Sequence, residues 1–344
     1  MTEISSKAVR ITSAGHFHPQ TVITNEFFDK LDIGSDPAWI GERTGIQERR
    51  TVLTLDDLLA IRKGETSLSD IHQDGRLPSL ADLGQEAWNV AAERNEHILN
   101  GVDLVLCGTS IPDYDIPANA CTIAAKIGSE CTSFDVNSAC SSFLTVMSVA
   151  RGMIQSGQAK KVAAFVSERY TTRVDYTDRA SCVLFGDGCG MAVFEAAENA
   201  QTSGKSIEVL DTHLVSAPSK FDLVQIPVGG TFYQNGKAVQ KFAITRTMEA
   251  TRNILERNGL TTSDVNYFIG HQANLRMLTS AAEKLGFDEE QHLYNVNLYG
   301  NQGGAGAPSV MSMNWDRFQV GDLICIAVVG SGLTWGSALL RVGE

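Results

Sequence analysis

A cysteine in the stretch FDVNSACSSF, residues 134–143, is the residue best placed to do chemistry. An apolar run ends at Val136, small and polar residues follow, and the next segment carries apolar residues at helical spacing. This pattern predicts a strand, a tight turn and a helix, with Cys140 at the helix N-terminus. Free N–H groups and the positive end of the helix dipole favour a thiolate there. Cys140 is therefore a candidate nucleophile that carries an acyl group as a thioester.

Cysteine is also a common small core residue, and the chain has seven of them. Cys140 stands out only if partner groups converge on it. No CxxC pair occurs, and His16 and His18 have no further ligand cluster nearby. No metal site is therefore predicted, and both histidines are interpreted as surface or turn residues. An odd number of scattered cysteines, without a leader pattern, indicates reduced thiols and a cytoplasmic protein.

The composition is typical of a globular chain, with 344 residues, 43% of them hydrophobic and 20% charged. This length suffices for two domains or two fused halves. The net charge of −12 argues against a nucleic-acid partner and against adsorption to anionic membranes. Residues 1–15 contain no apolar signal region, and no apolar run approaches the length of a membrane span. We therefore expect neither a nucleic-acid nor a membrane partner.

Strand and helix signals alternate along the chain. Strands are predicted at 7–14, 103–107 and 161–166, and helices at 25–31, 80–95 and 119–127. A turn or two of helix is predicted at 55–62, a polar loop at 64–75, and a tight hairpin at 183–194 around GDGCG.

Residues 36–50 combine Trp39 with Arg43, Arg49 and Arg50 around two glycines. One interpretation is a solvated loop. The other is a surface that binds an anionic, partly planar ligand through an aromatic face and guanidinium groups.

Three landmarks recur in the same order in the second half of the chain. DLVLCGTS resembles NYFIGHQA, FDVNSACSS resembles YNVNLYGNQ, and VLFGDGCGMAVFE resembles ICIAVVGSGLTWGSALL. This order argues for an internal duplication, and the alternating elements argue for an α/β fold. We predict an N-terminal half at 1–200, with an insertion at about 51–80, and a C-terminal half at 201–344.

The duplication would bring three polar groups to one point. If equivalent motifs face each other, the loop that carries Cys140 faces the loop that carries Asn301. His271 follows an apolar strand, where active-site residues often lie in open α/β sheets, and would lie beside both. Each residue alone has a structural interpretation, as a core histidine or a turn asparagine. The run GNQGGAG is costly in backbone entropy, which close approach of a ligand would justify.

Four motifs resemble the β-ketoacyl-acyl carrier protein synthase III family: HQANLRML, the NxYGNxxxA pattern at 297–305, GSGLTWGSALLR, and Trp39 with RTGIQERR. The resemblance runs from about residue 11 to 341 and is interrupted mainly at 51–80. It implies a thiolase-like αβαβα duplicate, usually a homodimer, with a catalytic triad of Cys140, His271 and Asn301.

The resemblance also implies a mechanism. Cys140, with a pKa lowered by the helix end and by His271, attacks an acyl thioester. The backbone N–H groups of Cys140 and Ser331 form the oxyanion hole. His271 and Asn301 then hydrogen-bond the carbonyl of a second thioester, and its enolate attacks the acyl group to give a β-keto product. No bound cofactor is expected, because coenzyme A or acyl carrier protein phosphopantetheine carries the substrates.

Further positions follow from the same resemblance. Acyl carrier protein is the expected partner, and Arg276 is a candidate for docking it. The residues implied in binding the nucleotide, the phosphopantetheine arm or the acyl group are Trp39, Arg43, Arg179, Leu184, Phe185, Lys241, Asn274 and Arg276, with Ile116 in a cross-dimer loop at 113–117.

Four departures from the family pattern suggest a specialised relative. They are Ser141 and Ser142 after the nucleophile, Ser331 among the C-terminal glycines, the insertion at 51–80, and Ile116 in place of an aromatic residue. The leading hypothesis is a Claisen condensation in fatty-acid or polyketide biosynthesis. The alternatives are a synthase that joins two chains into a pyrone, resorcinol or ketone without decarboxylation, an acyltransferase to an oxygen or nitrogen acceptor, and an inactive scaffold partner.

Overall fold

The computed structural model describes residues 7–344. The strands are β1 (Val9–Phe17), β2 (Thr21–Thr24), β3 (Glu48–Thr51), β4 (Leu104–Gly108), β5 (Thr132–Asp135), β6 (Lys161–Arg169), β7 (Asp187–Ala196), β8 (Ser206–Ser216), β9 (Val224–Gln225), β10 (Tyr233–Gln234), β11 (Tyr267–Gly270), β12 (His292–Leu293), β13 (Leu323–Gly330) and β14 (Thr334–Gly343). The α-helices are α1 (Asn25–Lys30), α2 (Pro37–Thr44), α3 (Leu55–Lys63), α4 (Leu68–Gln73), α5 (Leu80–Arg94), α6 (Asn119–Lys126), α7 (Ser142–Gln155), α8 (Gly236–Arg257), α9 (Leu275–Leu285), α10 (Val296–Tyr299) and α11 (Gly306–Met313).

The main sheet of the described residues repeats one strand order twice. It runs β12-β11-β13-β14-β8-β1-β7-β6-β4-β5, so each half contributes five strands in equivalent positions. The halves join where β1 pairs with β8 at Arg10 and Ile11. The predicted α/β duplicate is confirmed. The boundary at residue 200 falls in the connection between β7 and β8 but stays a prediction, and residues 1–6 of the N-terminal half lie outside the described residues.

Alternating side chains on the strands separate the core into layers. On β4, Leu104 and Leu106 pack in a central cluster with α7 and α11, whereas Val105 and Cys107 pack against α5 and α6. The C-terminal strands divide in the same way between the central cluster and α8 with α9. The five layers are thus helix, sheet, helix, sheet and helix. The central layer contains α7 and α11, and α7 is the helix that follows Cys140.

The segment at about 51–80, predicted to be an insertion, is more ordered than expected. Its first helix, α3, extends the predicted turns, but the predicted polar loop at 64–75 is wrong because α4 occupies Leu68–Gln73. Ser67 and Asp70 form a reciprocal capping box, and Ile71 is buried beside Leu58. Cap satisfaction and one buried apolar side chain outweigh the polar composition of this segment.

The predicted hairpin at 183–194 is also wrong, because β7 runs unbroken from Asp187 to Ala196. Its glycines serve close approach instead of turning. A Cβ built at Gly190 would lie 2.7 Å from the backbone nitrogen of Ser309 in α11, so only glycine lets the helix pack there. The predicted helices at 80–95 and 119–127 are confirmed as α5 and α6.

The loop interpretation of 36–50 is replaced by α2 and β3. Asp36 caps α2 by accepting the Trp39 N–H at 2.8 Å, and Gly45 ends the helix in the left-handed region. No helix of the described residues is long and apolar enough to cross a membrane.

Candidate active site

The candidate nucleophile, Cys140, lies on a strained turn between β5 and α7. Ala139 has a φ of 52°, a conformation that is uncommon for a residue with a side chain, and the Asn137 side chain accepts its N–H at 2.8 Å. Ser141 and Ser142, which depart from the family pattern, both hydrogen-bond Ser138, at 2.7 and 3.1 Å. These serines stabilise the turn before α7. Cys140 therefore lies at the start of the helix, which is the predicted position.

His271 follows the end of β11 and is fixed through its neighbour. The Gln272 side chain donates to the carbonyl of Gly270 at 2.8 Å and accepts the N–H of Asn295 at 3.0 Å. It therefore ties the end of the histidine strand to the segment that leads to Asn301.

Asn301 is held by its backbone and by one side-chain oxygen. Its N–H donates to the carbonyl of Leu184 at 2.8 Å, and it forms a parallel bridge with Phe185. Its Oδ1 accepts the Gly303 N–H at 2.9 Å. The amide NH₂ is the part of the side chain left to donate to a ligand.

Two cavities meet at the thiol of Cys140. The larger, of about 430 Å³, is lined by Cys140, His271 and Asn301 together. The smaller, of about 160 Å³, shares Cys140, Val224, Phe232 and Ser331 with the larger one, and its other lining residues include Ser110 and Tyr170. The predicted convergence of thiol, imidazole and carboxamide is present, and all three groups face the larger cavity.

Burial decides the charge state of the site. Loss of water, and then the negative charge of Glu168, raise the pKa of Cys140 to about 12, against a smaller effect of the Tyr170 hydroxyl. Burial lowers the pKa of His271 to about 4. The expected lowering of the Cys140 pKa is therefore wrong, because desolvation outweighs the helix end. At rest the site holds a neutral thiol beside a neutral imidazole.

The C-terminal glycine turn packs closely against the nucleophile's backbone. A Cβ built at Gly330 would lie 3.0 Å from the backbone nitrogen of Cys140 and 2.8 Å from that of Ser141. Ser331 lines both cavities, and its hydroxyl donates to the carbonyl of Val224 at 2.5 Å. The turn is thus adjacent to the N–H of Cys140, as an oxyanion hole requires.

Aromatic and cationic side chains surround the mouth of the larger cavity. The guanidinium groups of Arg179 and Arg43 lie 4.9 and 5.5 Å from the centre of the Trp39 ring. Asn274 donates to the Arg43 carbonyl at 3.1 Å and caps α9. The predicted binding residues that line this cavity are Trp39, Arg43, Arg179, Leu184, Phe185 and Asn274.

Other predicted residues lie elsewhere. Lys241 and Arg276 are exposed on α8 and α9, between neighbours that line the larger cavity. Ile116 is 86% exposed in the loop after β4, outside both cavities. Arg49 is fully buried and donates to the carbonyl of Val183 and to Asn25. Its interpretation as a phosphate ligand is wrong, because its guanidinium group forms buried hydrogen bonds that connect β3 to the core.

The interpretation of the two N-terminal histidines as surface or turn residues is wrong for His16, which is part of a strand, and agrees with the position of His18 in the connection between β1 and β2. His16 lies within β1, and its Nδ1 is 2.8 Å from the hydroxyl of Ser312, while the ring of His18 stacks on Tyr299 with centroids 3.8 Å apart. Both are half-buried. Within residues 7–344, no group of three or more His, Cys, Asp or Glu side chains is arranged to hold a metal ion.

The sequence reasoning missed Ser110, Glu168, Tyr170, Phe232 and Lys237. Ser110 follows the end of β4, Glu168 is the penultimate residue of β6, and Tyr170 follows that strand, all beside the nucleophile turn. The strand-end rule that identified His271 would have identified them in GTS and SERY. Phe232 lies between β9 and β10 and Lys237 in the first turn of α8, where no sequence motif marks a contact with the site.

Comparisons with known proteins agree with this geometry. Models of 3-oxoacyl-[acyl-carrier-protein (ACP)] synthase III match residues 134–217, and models of its C-terminal part match 255–342. The β-ketoacyl-[acyl-carrier-protein] synthase III of Aliarcobacter butzleri is 34% identical, over 96% of both chains. That of Xanthomonas campestris is 36% identical, over 96% of this chain and 98% of the relative. The crystal structure of the Aquifex aeolicus enzyme has a TM-score of 0.84 at 29% identity and covers 97% of this chain and 99% of that one.

The fold and site define a thiolase-fold condensing transferase of the Claisen type. This chain belongs to the β-ketoacyl-[acyl-carrier-protein] synthase III family.

Proposed function

We propose that the protein loads a short acyl group onto Cys140 and condenses it with malonyl- or β-ketoacyl-acyl carrier protein to give a β-keto thioester. The observation that carries this proposal is the pair of cavities that meet at one sulfur. His271 and Asn301 line the larger cavity, with the neutral thiol between it and the smaller one. The larger cavity is where the second substrate is activated, and the smaller one holds the acyl chain.

The residues divide the chemistry between them. The Cys140 sulfur attacks the first thioester carbonyl, and the N–H groups of Cys140 and Ser331 stabilise the oxyanion. The coenzyme A or carrier thiolate leaves and takes a proton from solvent, which balances the proton that the Cys140 thiol releases when its sulfur attacks. The neutral imidazole of His271 and the amide of Asn301 then hydrogen-bond the carbonyl of the second thioester. Loss of carbon dioxide from a malonyl group, or of an α-proton to solvent from a β-ketoacyl group, leaves an enolate, which attacks the acyl-Cys140 and expels the Cys140 thiolate.

The size of the smaller cavity supports a short acyl group. Its volume of about 160 Å³ is close to the ~150 Å³ of an engineered protein cavity that holds one benzene molecule. Phe232 lies at the boundary with the larger cavity and lines both, and the ring of Tyr170 stacks on Phe185 with centroids 4.8 Å apart. A group of about six carbon atoms fits, which favours priming over the joining of two long chains.

The surface supports two partners. Arg276 and Lys241 are exposed beside cavity-lining residues of α9 and α8, where an acidic carrier protein would deliver its phosphopantetheine arm. Tyr114 and Ile116 are 58% and 86% exposed in one loop, which the buried ion pair of Asp113 with Arg169 anchors. A second copy of the chain would cover these apolar side chains in a homodimer.

The remaining assignments follow from the chemistry. Claisen condensation of thioesters asks for a nucleophile and hydrogen-bond donors, so the only carrier group required is the phosphopantetheine of the substrates. All seven cysteines are free thiols, which suits a reducing compartment, and we place the protein in the cytoplasm.

Intact-protein mass spectrometry tests the function directly. Incubation with hexanoyl-coenzyme A should add one hexanoyl group to the wild type and none to Cys140→Ala. Addition of malonyl-acyl carrier protein should then discharge the adduct as a β-keto product.

Asn301→Ala separates condensation from simple transfer. It should acylate at nearly the wild-type rate and condense about 10²-fold more slowly, because only the enolate needs the amide. An unmodified wild type would reject the proposal, and full condensation by Asn301→Ala would favour acyl transfer to another acceptor.

A further inference from the structure

A buried carboxyl group that the mechanism above does not use lies behind Cys140. Glu168, near the end of β6, has no solvent exposure. One of its oxygens accepts the backbone N–H of Ser110 at 3.0 Å and the hydroxyl of Thr109 at 3.2 Å. The neighbouring charges, Arg169 and Asp113, pair with each other. Glu168 is therefore a buried acid whose described contacts are hydrogen-bond donors instead of a cation.

Two hydroxyl groups lie between this carboxyl and the thiol. The hydroxyl of Ser110 lies 3.3 Å from the second carboxyl oxygen of Glu168. Ser110 and Tyr170 line the smaller cavity together with Cys140, and the Tyr170 hydroxyl lies 4.0 Å from the Cys140 sulfur. Thiol, phenol, alcohol and carboxyl thus form a line of neighbouring groups, and each hydroxyl can donate in one direction while accepting in the other.

The surroundings allow one negative charge in this line at a time. Burial raises the pKa of Glu168 to about 8, and the carboxylate in turn raises the pKa of Cys140. The other titratable groups that feel the Glu168 charge are Tyr170, Cys107 on β4 and Cys189 on β7, and burial raises the pKa of each. Near neutral pH the carboxyl is mostly protonated, so a proton is available beside the sulfur.

We propose that Glu168 is the proton partner of Cys140, which it reaches through the hydroxyls of Ser110 and Tyr170. This proposal rests on the proposed function. When condensation expels the Cys140 thiolate, the Tyr170 O–H bond breaks and an S–H bond forms. Tyr170 regains a proton from Ser110, and Ser110 regains one from Glu168, which becomes a carboxylate. Before the next acylation the same proton returns to Glu168 by the reverse path, which regenerates the attacking thiolate and the carboxylic acid, so the count balances.

The pairing predicts an unusual pH dependence of thiol reactivity. In the wild type, two states of the Glu168–Cys140 pair contain the same number of protons. One is a carboxylate with a thiol, and the other is a carboxylic acid with a thiolate, so pH does not change their ratio. The thiolate population therefore stops rising once pH exceeds the pKa of Glu168, at about 8. In Glu168→Gln no second charge opposes ionisation, and the thiolate population keeps rising.

The test is the rate of iodoacetamide alkylation at Cys140, followed by peptide mass spectrometry from pH 6 to 9.5. The wild-type rate should level off above about pH 8, and Glu168→Gln should react about tenfold faster at pH 9, one unit above the Glu168 pKa. Glu195→Gln is the matched control, since it removes a buried carboxyl on β7 that pairs with Lys161 and Thr12. It should follow the wild-type curve.

Condensation rates separate the proton path from the charge. Single-turnover transfer from hexanoyl-Cys140 to malonyl-acyl carrier protein should slow by about 10- to 100-fold in Glu168→Gln. Tyr170→Phe keeps the stacked ring but breaks the line, so it should slow condensation similarly while keeping the alkylation plateau.

Superimposed alkylation curves for wild type and Glu168→Gln would overturn the pairing. Unchanged condensation in Tyr170→Phe would overturn the path. A wild type that forms no hexanoyl adduct would instead reject the proposed function, and the alkylation curves, which need no substrate, would still decide the pairing.

Discussion

Two equivalent strand ends flank Cys140, and they provide opposite kinds of chemical group. Cys107 on β4 pairs with Phe165 on β6, and its counterpart Gly270 on β11 pairs with Ala327 on β13. Three residues further along, β6 reaches Glu168 and β13 reaches Gly330. The N-terminal strand end therefore supplies a buried acid, and the C-terminal one supplies bare backbone.

The difference shows how a duplicated fold divides one reaction. A group that exchanges protons needs a side chain with a tunable pKa, which burial of a carboxyl provides. An oxyanion hole needs N–H groups held close together, which a side chain would obstruct. The same position in the two halves therefore carries an ionisable side chain, Glu168, on β6 and no side chain, Gly330, on β13. Each lies on its own face of the nucleophile.

The largest expected effect comes from placing a side chain on the bare strand end. Gly330→Ala adds a methyl group 2.8 to 3.0 Å from the backbone of Ser138, Ser141 and Cys140, so the turn must move away from the nucleophile. Acylation of Cys140 by hexanoyl-coenzyme A should slow by about 10²–10³-fold, the usual cost of losing one oxyanion-hole donor. Rapid-quench single-turnover mass spectrometry measures this rate.

Gly152→Ala is the matched control for that substitution. Gly152 lies in α7, the nucleophile's own helix, and a Cβ there meets nothing within 4 Å. This variant should acylate normally and gain up to about 1 kcal/mol of stability from the better helix former. Normal acylation by Gly330→Ala would mean that the C-terminal turn provides no transition-state donor.

A second prediction contrasts the titration of the two faces. Near pH 8 Glu168 changes charge, whereas burial lowers the pKa of His271 from 6.5 to about 4. Between these two histidine values the unfolded chain binds a proton that the folded protein excludes, so the contribution of His271 to stability is lost as pH falls from 6.5 to 4. In His271→Asn the free energy of unfolding should fall less steeply as pH decreases over this range. The difference in slope corresponds to the uptake of up to one proton per molecule on unfolding.

Urea denaturation at pH 7.5, 6 and 5 measures that slope for both proteins. The curves should differ by a constant amount at pH 7.5 and above, where the histidine is neutral in both states. Equal slopes down to pH 5 would show that His271 takes up its proton in the folded protein as readily as in the unfolded chain.

Sequence patterns predicted the fold and the three convergent residues because both depend on local order. The repeated strand–loop signals placed Cys140, His271 and Asn301 at equivalent ends, and the structure brings them to one cavity. The patterns could not predict the charge state of Cys140. The helix end acts locally, but burial in the folded protein and the negative charge of Glu168, which lies far from Cys140 in the sequence, raise the pKa of the thiol.

The same distinction explains the errors in secondary structure. Glycines in GDGCG predict a turn when only the chain is considered, yet at Gly190 the glycine is required by a helix 119 residues later, near Ser309. Arg49 is typical of a surface ligand by type, but its buried partners, Asn25 and the carbonyl of Val183, come from other segments. Such contacts are set by tertiary packing and leave no local signature.

The smallest expected effect comes from the residue next to the most sensitive one. Ser331→Ala keeps the backbone N–H proposed for the oxyanion hole and removes only the hydroxyl that donates to the Val224 carbonyl at 2.5 Å. The loss of this hydrogen bond should lower the free energy of unfolding by about 1 kcal/mol, while acylation stays within about threefold of the wild type. Since Ser331→Ala and Gly330→Ala place the same methyl side chain on adjacent residues, urea denaturation and single-turnover acylation of the two variants compare side-chain and backbone roles directly. A Ser331→Ala rate as low as that of Gly330→Ala would mean that the serine hydroxyl, and not the amide, supports the reaction.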